Sequence, residues 1–181
     1  LMRQLFDLAT NMQSHDTDLE LYSLFTDEEI FDQWRLRNVR WYLDYGAAPQ
    51  TDAMMPFSQA NLLRNIIETA DTVTRKQATL RFGHEVCVMP LACLLELDNC
   101  GAQVENLDTL DHLWRNYRIF PMACNVQLVF YRPKKGSGDI LVKALLNERE
   151  TRMPVKTEQF PYYRWEDLKS YYLKKLETYR P

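Results

Sequence analysis

The residues of this chain best suited to chemistry are a histidine and an acid that stand side by side, His84 and Glu85. They follow residues 78–82, whose apolar and β-forming side chains predict a short strand, and they precede residues 86–97, which predict a buried helix. The carboxyl end of a strand is where α/β sheets bind ligands, and a helix N-terminus favours an anionic group. An imidazole in this place can stabilise charge on a phosphoryl group, and an adjacent carboxyl group can protonate a leaving oxygen. The same pair is also compatible with a purely structural turn.

The remaining histidines and the cysteines show no ligand spacing. His15 stands in a polar break and His112 in a predicted loop or helix end, so solvated side chains are expected at both positions. The cysteines form neither a CxxC pair nor a zinc ribbon, so we predict no metal site and no cofactor, and we expect free, buried thiols. These cysteines are Cys87, Cys93, Cys100 and Cys124. Cys87 and Cys93 fall on opposite faces of the predicted helix, which argues against a bridge between them.

Two groups of basic residues and one group of tyrosines have both a functional and a structural interpretation. Arg35, Arg37 and Arg40 could line a polyanion pocket, but the acids beside them favour a solvated helix face. Lys134 and Lys135 stand in a polar turn and are most simply solubilising. The tyrosines predict packing for the last helix, with a ring-stacking platform as the alternative. They are Tyr162, Tyr163, Tyr171 and Tyr172.

Composition excludes several classes of protein. The chain has 181 residues, 46% hydrophobic and 26% charged, which is typical of a globular protein. A net charge of -3 gives no electrostatic reason to expect nucleic acid as a partner, and only 5 glycines argue against a glycine-rich phosphate loop. No apolar run approaches the roughly 20 residues of a membrane helix. The chain opens at Leu1 inside a helical pattern, as expected of a piece excised from a longer protein.

The elements that must position His84 and Glu85 begin with helices. Apolar residues at helical spacing predict a helix over residues 1–12. Thr26 and Glu29 form a capping box, which predicts a helix that starts there and stops at Gly46. A regular apolar face predicts another helix after Ser58. The first 75 or so residues are therefore predicted to be mostly helical.

The second part of the chain combines strands and helices. Residues 125–131 and 139–146 alternate and are rich in β-formers, and the polar turn between them predicts a β-hairpin. Apolar residues at helical spacing from Trp165 to Tyr179 predict a final helix. The order helices, strand, helix, hairpin, helix is compatible with α/β or α+β, and we favour α/β.

The stretch Phe-Gly-His-Glu at residues 82–85, followed by an apolar helix, resembles the C-terminal His-Asp signature of the histidine acid phosphatases, branch 2 of the histidine phosphatase superfamily. Residues 117–132 and 142–155 resemble the strands that follow this signature. The resemblance covers about residues 20–170 and is greatest to the multiple inositol polyphosphate phosphatases. It implies a partial histidine-phosphatase (phosphoglycerate-mutase-like) fold. Residues 1–76 would form a helical insert, or cap. Residues 77–181 would form the C-terminal part of the α/β core, with a β-hairpin and flanking helices. The N-terminal part of that core is expected to be missing.

The resemblance also implies roles for the pair. In this family an Arg-His-Gly motif supplies a phosphohistidine nucleophile, arginines hold the phosphate, and no metal is needed. His84 would bind the transferring phosphoryl group, and Glu85 would protonate the leaving alcohol. The family usually has Asp directly after this histidine, where this chain has Glu85. Some members have instead His, Ala and then an acid, and in that pattern Val86 would stand at the position of the acid. The chain contains no Arg-His-Gly, so we expect it to be inactive alone.

The implied parent protein is a periplasmic or secreted phosphomonoesterase that acts on a phosphorylated small molecule. Inositol polyphosphates such as phytate are the expected substrates, and a broad-specificity acid phosphatase is one alternative. A non-catalytic relative that uses the same pocket for binding or packing is another. If half of the sheet is absent, an unprotected strand edge should remain, so we also expect the isolated chain to self-associate.

Overall fold

A computed structural model describes residues 1–72, 77–134 and 138–179. Seven α-helices and four β-strands lie in these ranges. The helices are α1 (Met2–Asn11), α2 (Asp27–Tyr45), α3 (Ala60–Thr72), α4 (Glu85–Leu94), α5 (Leu110–Leu113), α6 (Asn116–Ile119) and α7 (Trp165–Glu177). The strands are β1 (Val126–Tyr131), β2 (Leu141–Leu146), β3 (Arg149–Thr151) and β4 (Tyr163–Arg164).

The chain divides into two compact units, residues 1–40 and residues 41–181. In the first unit, α1 buries Phe6 and Ala9, and the Phe6 ring packs edge-on against Phe25 with ring centroids 5.8 Å apart. The predicted helix over residues 1–12 is confirmed, although the leucines of its pattern are exposed. The predicted boundary between the helical insert and the α/β core lies after residue 76, next to residues outside the described ranges, and stays a prediction.

Both ends of α2 follow the sequence prediction. The Glu29 N–H donates to Thr26 Oγ1 over 3.2 Å, and the Thr26 N–H donates to Glu29 Oε2 over 2.9 Å. These reciprocal bonds confirm the capping box. The helix ends at Tyr45, directly before Gly46, where a Cβ would lie only 2.7 Å from the Tyr42 carbonyl oxygen. Glycine is therefore required at this close approach.

The strands form one antiparallel sheet in the order β1-β2-β3, with β4 also paired to β2. The predicted hairpin is confirmed: β1 and β2 pair with Val126 opposite Leu146 and Tyr131 opposite Leu141. Helices and sheet are mixed as predicted. All pairings among the described strands are antiparallel, and the assignment of these residues to the α/β core of a histidine-phosphatase fold stays a prediction.

A tight turn joins β2 to β3. Asn147 and Glu148 both adopt the left-handed region, with φ of 51° and 67°, as a two-residue type I′ turn requires. Asn147 Oδ1 accepts the Asn125 N–H over 3.0 Å, and its Nδ2 donates to the Ile119 carbonyl over 3.0 Å. One side chain therefore ties the start of β1 to α6. Strands β3 and β4 have only three and two residues and were not predicted from the sequence pattern.

The strand predicted at residues 78–82 is wrong. Residues 77–84 contain no regular secondary structure and are exposed, with Leu80 and Phe82 at 74% and 92%. No strand in the described ranges lies beside them, and a strand needs a neighbour to pair its backbone groups. Arg81 instead donates to Asn65 Oδ1 over 2.8 Å, which fastens this segment to α3.

Helices α4 and α7 form much of the core of the second unit. Residues 89–94 of α4 are buried. Helix α7 buries the apolar face that the sequence predicts, and the Tyr172 hydroxyl donates to the Leu95 carbonyl over 2.9 Å. Because α4 begins at Glu85, Pro90 lies in its second turn. Within the described ranges, no helix is long and apolar enough to cross a membrane.

Candidate functional site

His84 lies at the N-cap of α4, in extended backbone conformation with φ -100° and ψ 168°. Its carbonyl oxygen accepts the first helical hydrogen bonds, from the N–H groups of Cys87 (2.9 Å) and Val88 (3.2 Å). The imidazole makes no capping bond, and both His84 and Glu85 are exposed. The structure thus places the pair at a helix start as predicted, but after the unpaired 77–84 segment and not after a strand.

Glu85 is the first residue of α4, where the helix dipole favours negative charge. The loop before β1 comes near it. Burial raises the pKa of the Cys124 thiol, and the Glu85 carboxylate raises it further. Cys124 therefore lies close enough to Glu85 for the two charges to interact. No sequence signal predicts that Cys124 lies there, because the two residues are far apart along the chain.

The far end of α4 is closed by a Schellman motif. The Leu97 N–H donates to the Ala92 carbonyl over 3.2 Å, and the Glu96 N–H donates to the Cys93 carbonyl over 3.1 Å. Glu96 has a φ of 54°, at the position where glycine is usual. A glutamate there adopts a strained backbone, so its side chain must be held by other contacts.

Those contacts join α4 to α7. Lys175 Nζ donates to Glu96 Oε1 over 2.6 Å and to the Leu94 carbonyl over 2.9 Å. The Tyr171 hydroxyl donates to the other Glu96 oxygen. Burial, and then the neighbouring Glu96 carboxylate, raise the pKa of Tyr171 to about 12. The network fixes the C-terminal end of the helix whose N-terminal end carries His84 and Glu85.

A shallow pocket opens at this same end, with Phe57, Cys93, Glu96 and Lys175 in its lining. Along α4 it lies about 14 Å from His84, at 1.5 Å per residue. The Glu96 and Lys175 side chains already bind each other, and burial raises the pKa of Cys93 to about 12. The pocket is therefore separate from the candidate site. In the described ranges, no three or more His, Cys, Asp and Glu side chains are placed to hold a metal ion.

The arginines of α2 contact other residues of the first unit. Arg37 pairs with Asp7, and its guanidinium lies 4.8 Å from the centroid of the Phe6 ring. The Arg35 guanidinium lies 5.9 Å from the centroid of the Phe31 ring. These contacts support a solvated, structural helix face rather than a polyanion pocket.

The structure also shows where the remaining histidines, the cysteines, the lysines and the tyrosines singled out from the sequence lie. His15 and His112 are exposed and outside the candidate site. All four cysteines are free; Cys93 and Cys100 are buried as predicted, whereas Cys87 and Cys124 are only partly buried. Lys134 is exposed, and Lys135 lies outside the described residues. Tyr163 and Tyr172 are both buried, which confirms the predicted packing role for these two tyrosines.

The fold of this chain is similar to part of a phosphatase. A multiple inositol polyphosphate phosphatase of Bifidobacterium longum, in complex with phosphate, matches with a TM-score of 0.71 and 22% identity over 96% of this chain and 40% of that chain. The same enzyme in complex with inositol hexasulfate matches with a TM-score of 0.69 and 23% identity, over 93% and 37% of the two chains. Its apo form gives 0.68 and 24%, over 93% and 38%.

The matched region is thus about two fifths of the length of those structures. No family model and no curated protein sequence matches this chain. At this level of identity the likeness concerns the fold, and the roles of His84 and Glu85 do not follow from it.

Proposed function

We propose that residues 1–181 are the C-terminal part of a phosphomonoesterase of the histidine acid phosphatase type, in which His84 binds the transferring phosphoryl group and Glu85 protonates the leaving alcohol. The observation that carries the proposal is the exposed His84–Glu85 pair at the start of α4, within a fold similar to part of a phosphatase. The phosphohistidine route and the family itself rest on the sequence resemblance.

The geometry suits each role. A phosphoryl group at the start of α4 meets the positive end of the helix dipole, and the His84 imidazole is free of a capping bond and can donate to a phosphoryl oxygen. The bond from phosphorus to the leaving oxygen breaks as a nucleophilic histidine forms a bond to phosphorus. Glu85 gives its proton to that oxygen, and water then hydrolyses the phosphohistidine. The nucleophile is not among residues 1–181, since no Arg-His-Gly motif is present.

Inositol polyphosphates such as phytate are the proposed substrates. Support comes from the sequence resemblance and from the fold similarity to an inositol polyphosphate phosphatase. A broad-specificity acid phosphatase would hydrolyse a small aryl phosphate as well as phytate, and comparing kcat/KM for the two substrates separates these proposals. We also propose a periplasmic or secreted location, which cell fractionation tests.

The test is phosphate release from phytate by the complete reading frame that contains these residues, in excess chelator. We expect His84→Ala and Glu85→Ala to abolish most release, because each removes a group that acts on the reacting atoms. His112→Ala is the matched control, since it removes an exposed imidazole outside the site, and it should retain full activity. Equal activity in all four proteins would refute the proposed roles.

A non-catalytic relative is the second candidate, and the absence of an Arg-His-Gly motif from residues 1–181 is compatible with it. It predicts a complete reading frame without that motif and a folded protein that releases no phosphate. Phosphate release by residues 1–181 alone would contradict both candidates, because neither provides a nucleophile in this part of the chain.

A further inference from the structure

The segment that leads into the candidate site is fastened to α3 by one arginine. Residues 77–84 end at His84, the N-cap of α4. Arg81 stands three residues earlier, and its Nη2 donates to Asn65 Oδ1 over 2.8 Å and to Thr69 Oγ1 over 2.9 Å. Three residues of extended chain span at most about 11 Å, so these two bonds restrict where His84 can lie.

Helix α3 presents the two acceptors in a fixed arrangement. Asn65 and Thr69 are four residues apart and therefore lie on the same face of the helix. The Thr69 hydroxyl donates its own proton to the Asn65 carbonyl over 2.6 Å, which leaves the lone pairs of Oγ1 to accept from Arg81. The two hydrogens of one guanidinium nitrogen thus each have an acceptor. A lysine at this position would keep the charge but not the planar fork that makes both bonds.

Helix α3 is itself held in place, so a bond to it can hold the segment. It buries part of its apolar face. Near its C-terminal end, Asp71 accepts from Lys169 Nζ over 2.5 Å and from Trp165 Nε1 over 3.2 Å, both on α7. Helix α7 in turn holds the C-terminal end of α4 through the charged network described above. Arg81 therefore joins α3 to the chain at the opposite, N-terminal end of α4.

We propose that Arg81 is a positioning residue, which fixes the backbone from which His84 and Glu85 extend. The inference rests on the proposed function, and it assigns no chemical step to Arg81 itself. The His84 side chain is exposed and makes no capping bond, so its place depends on the backbone that carries it. A misplacement of about 1 Å can lower the rate of a reaction by about 10²-fold. We therefore expect the loss of this contact to lower kcat rather than to raise KM.

Three single variants of the complete reading frame test this contact. Arg81→Lys keeps the charge, and Thr69→Val keeps the shape of the side chain while removing one acceptor. Thr72→Val is the matched control, because the Thr72 hydroxyl is on the same helix and donates to the Thr69 carbonyl over 2.9 Å. The first two variants should lower kcat for phytate by about 10–100-fold and leave KM close to its native value, and the control should change neither. The Arg81→Lys, Thr69→Val double variant should be no slower than the slower single variant, since both changes break the same contact.

Hydrogen exchange measures the contact independently of activity. In Arg81→Lys and in Thr69→Val, the amides of residues 77–88 should exchange several-fold faster than in the native protein, and in Thr72→Val they should not. Circular dichroism and thermal melting establish that each variant is folded. Exchange that is unchanged in the first two variants would overturn the proposal, because Arg81 would then not hold this segment.

The kinetic outcomes separate this proposal from the proposed function. If His84→Ala is inactive while Arg81→Lys and Thr69→Val keep native kcat, the positioning role is wrong and the proposed function stands. If Arg81→Lys loses activity and Thr69→Val does not, Arg81 does not act through α3, which also overturns the proposal. Full activity of His84→Ala would refute the proposed function, and the positioning role with it.

Discussion

Replacing Lys175 with methionine removes the cation that joins α7 to the end of α4 while preserving most of the side chain's length. Two charged hydrogen bonds are lost, to Glu96 Oε1 (2.6 Å) and to the Leu94 carbonyl (2.9 Å). Hydrogen bonds to charged groups contribute about 1.5–3 kcal/mol each. The Lys175 and Glu96 side chains remain 19% and 32% exposed, and Glu96 keeps its bond from Tyr171. We therefore expect a loss of about 2 kcal/mol in the free energy of unfolding, less than the full sum.

Urea unfolding at equilibrium measures this loss as a lower midpoint with an unchanged slope. Lys174→Met is the matched control, because Lys174 is exposed one residue earlier on the same helix and should change stability by less than about 0.5 kcal/mol. Equal effects of the two substitutions would refute the reasoning, since the Glu96 contact would then contribute nothing beyond the loss of a surface charge.

Three further predictions concern pH, backbone strain and thiol reactivity. The pKa of Asp71 lies below its ordinary value of 3.8, chiefly because Lys169 donates a hydrogen bond to it. The stabilisation that the Asp71 carboxylate provides is present above its unfolded-state pKa and is lost as pH falls through its folded-state pKa. Below about pH 4, the melting temperature of the native protein should therefore fall more steeply with pH than that of the Asp71→Asn variant. Glu148→Gly should raise the free energy of unfolding by about 0.5–1 kcal/mol in urea melts, because Glu148 is exposed with a φ of 67°. In native protein, mass-spectrometric mapping should find a thiol reagent on Cys124, which is partly exposed, but on Cys93 only after unfolding, because burial raises the pKa of Cys93 to about 12.

Local patterns predicted those elements whose signals are themselves local. The capping box of Thr26 and Glu29 and the hairpin formed by β1 and β2 were both correct, because each depends on residues close together in the chain. The apolar spacing of α7 also predicted its buried face, including Leu168 and Tyr172. In each case the sequence pattern and the tertiary packing agree.

The errors occurred where the outcome depends on a distant neighbour. Residues 78–82 have the composition of a strand, yet no strand in the described ranges lies beside them, and the alternation cannot show whether a partner is present. Strands β3 and β4 are too short for any period to be detected. The place of His84 and Glu85 at a helix start could be predicted, but the approach of Cys124 could not, since tertiary folding brings it there.

The proposed role of Glu85 as the proton donor is tested most directly by the dependence on the leaving group. In the complete protein, Glu85→Gln should lower kcat for phytate by about 10²–10⁴-fold, the usual contribution of general acid catalysis. It should have much less effect on kcat for 4-nitrophenyl phosphate, whose leaving group needs no proton. Activity lost on phytate and retained on the aryl ester would support the proposed mechanism. An equal loss on both substrates, or none on either, would contradict it.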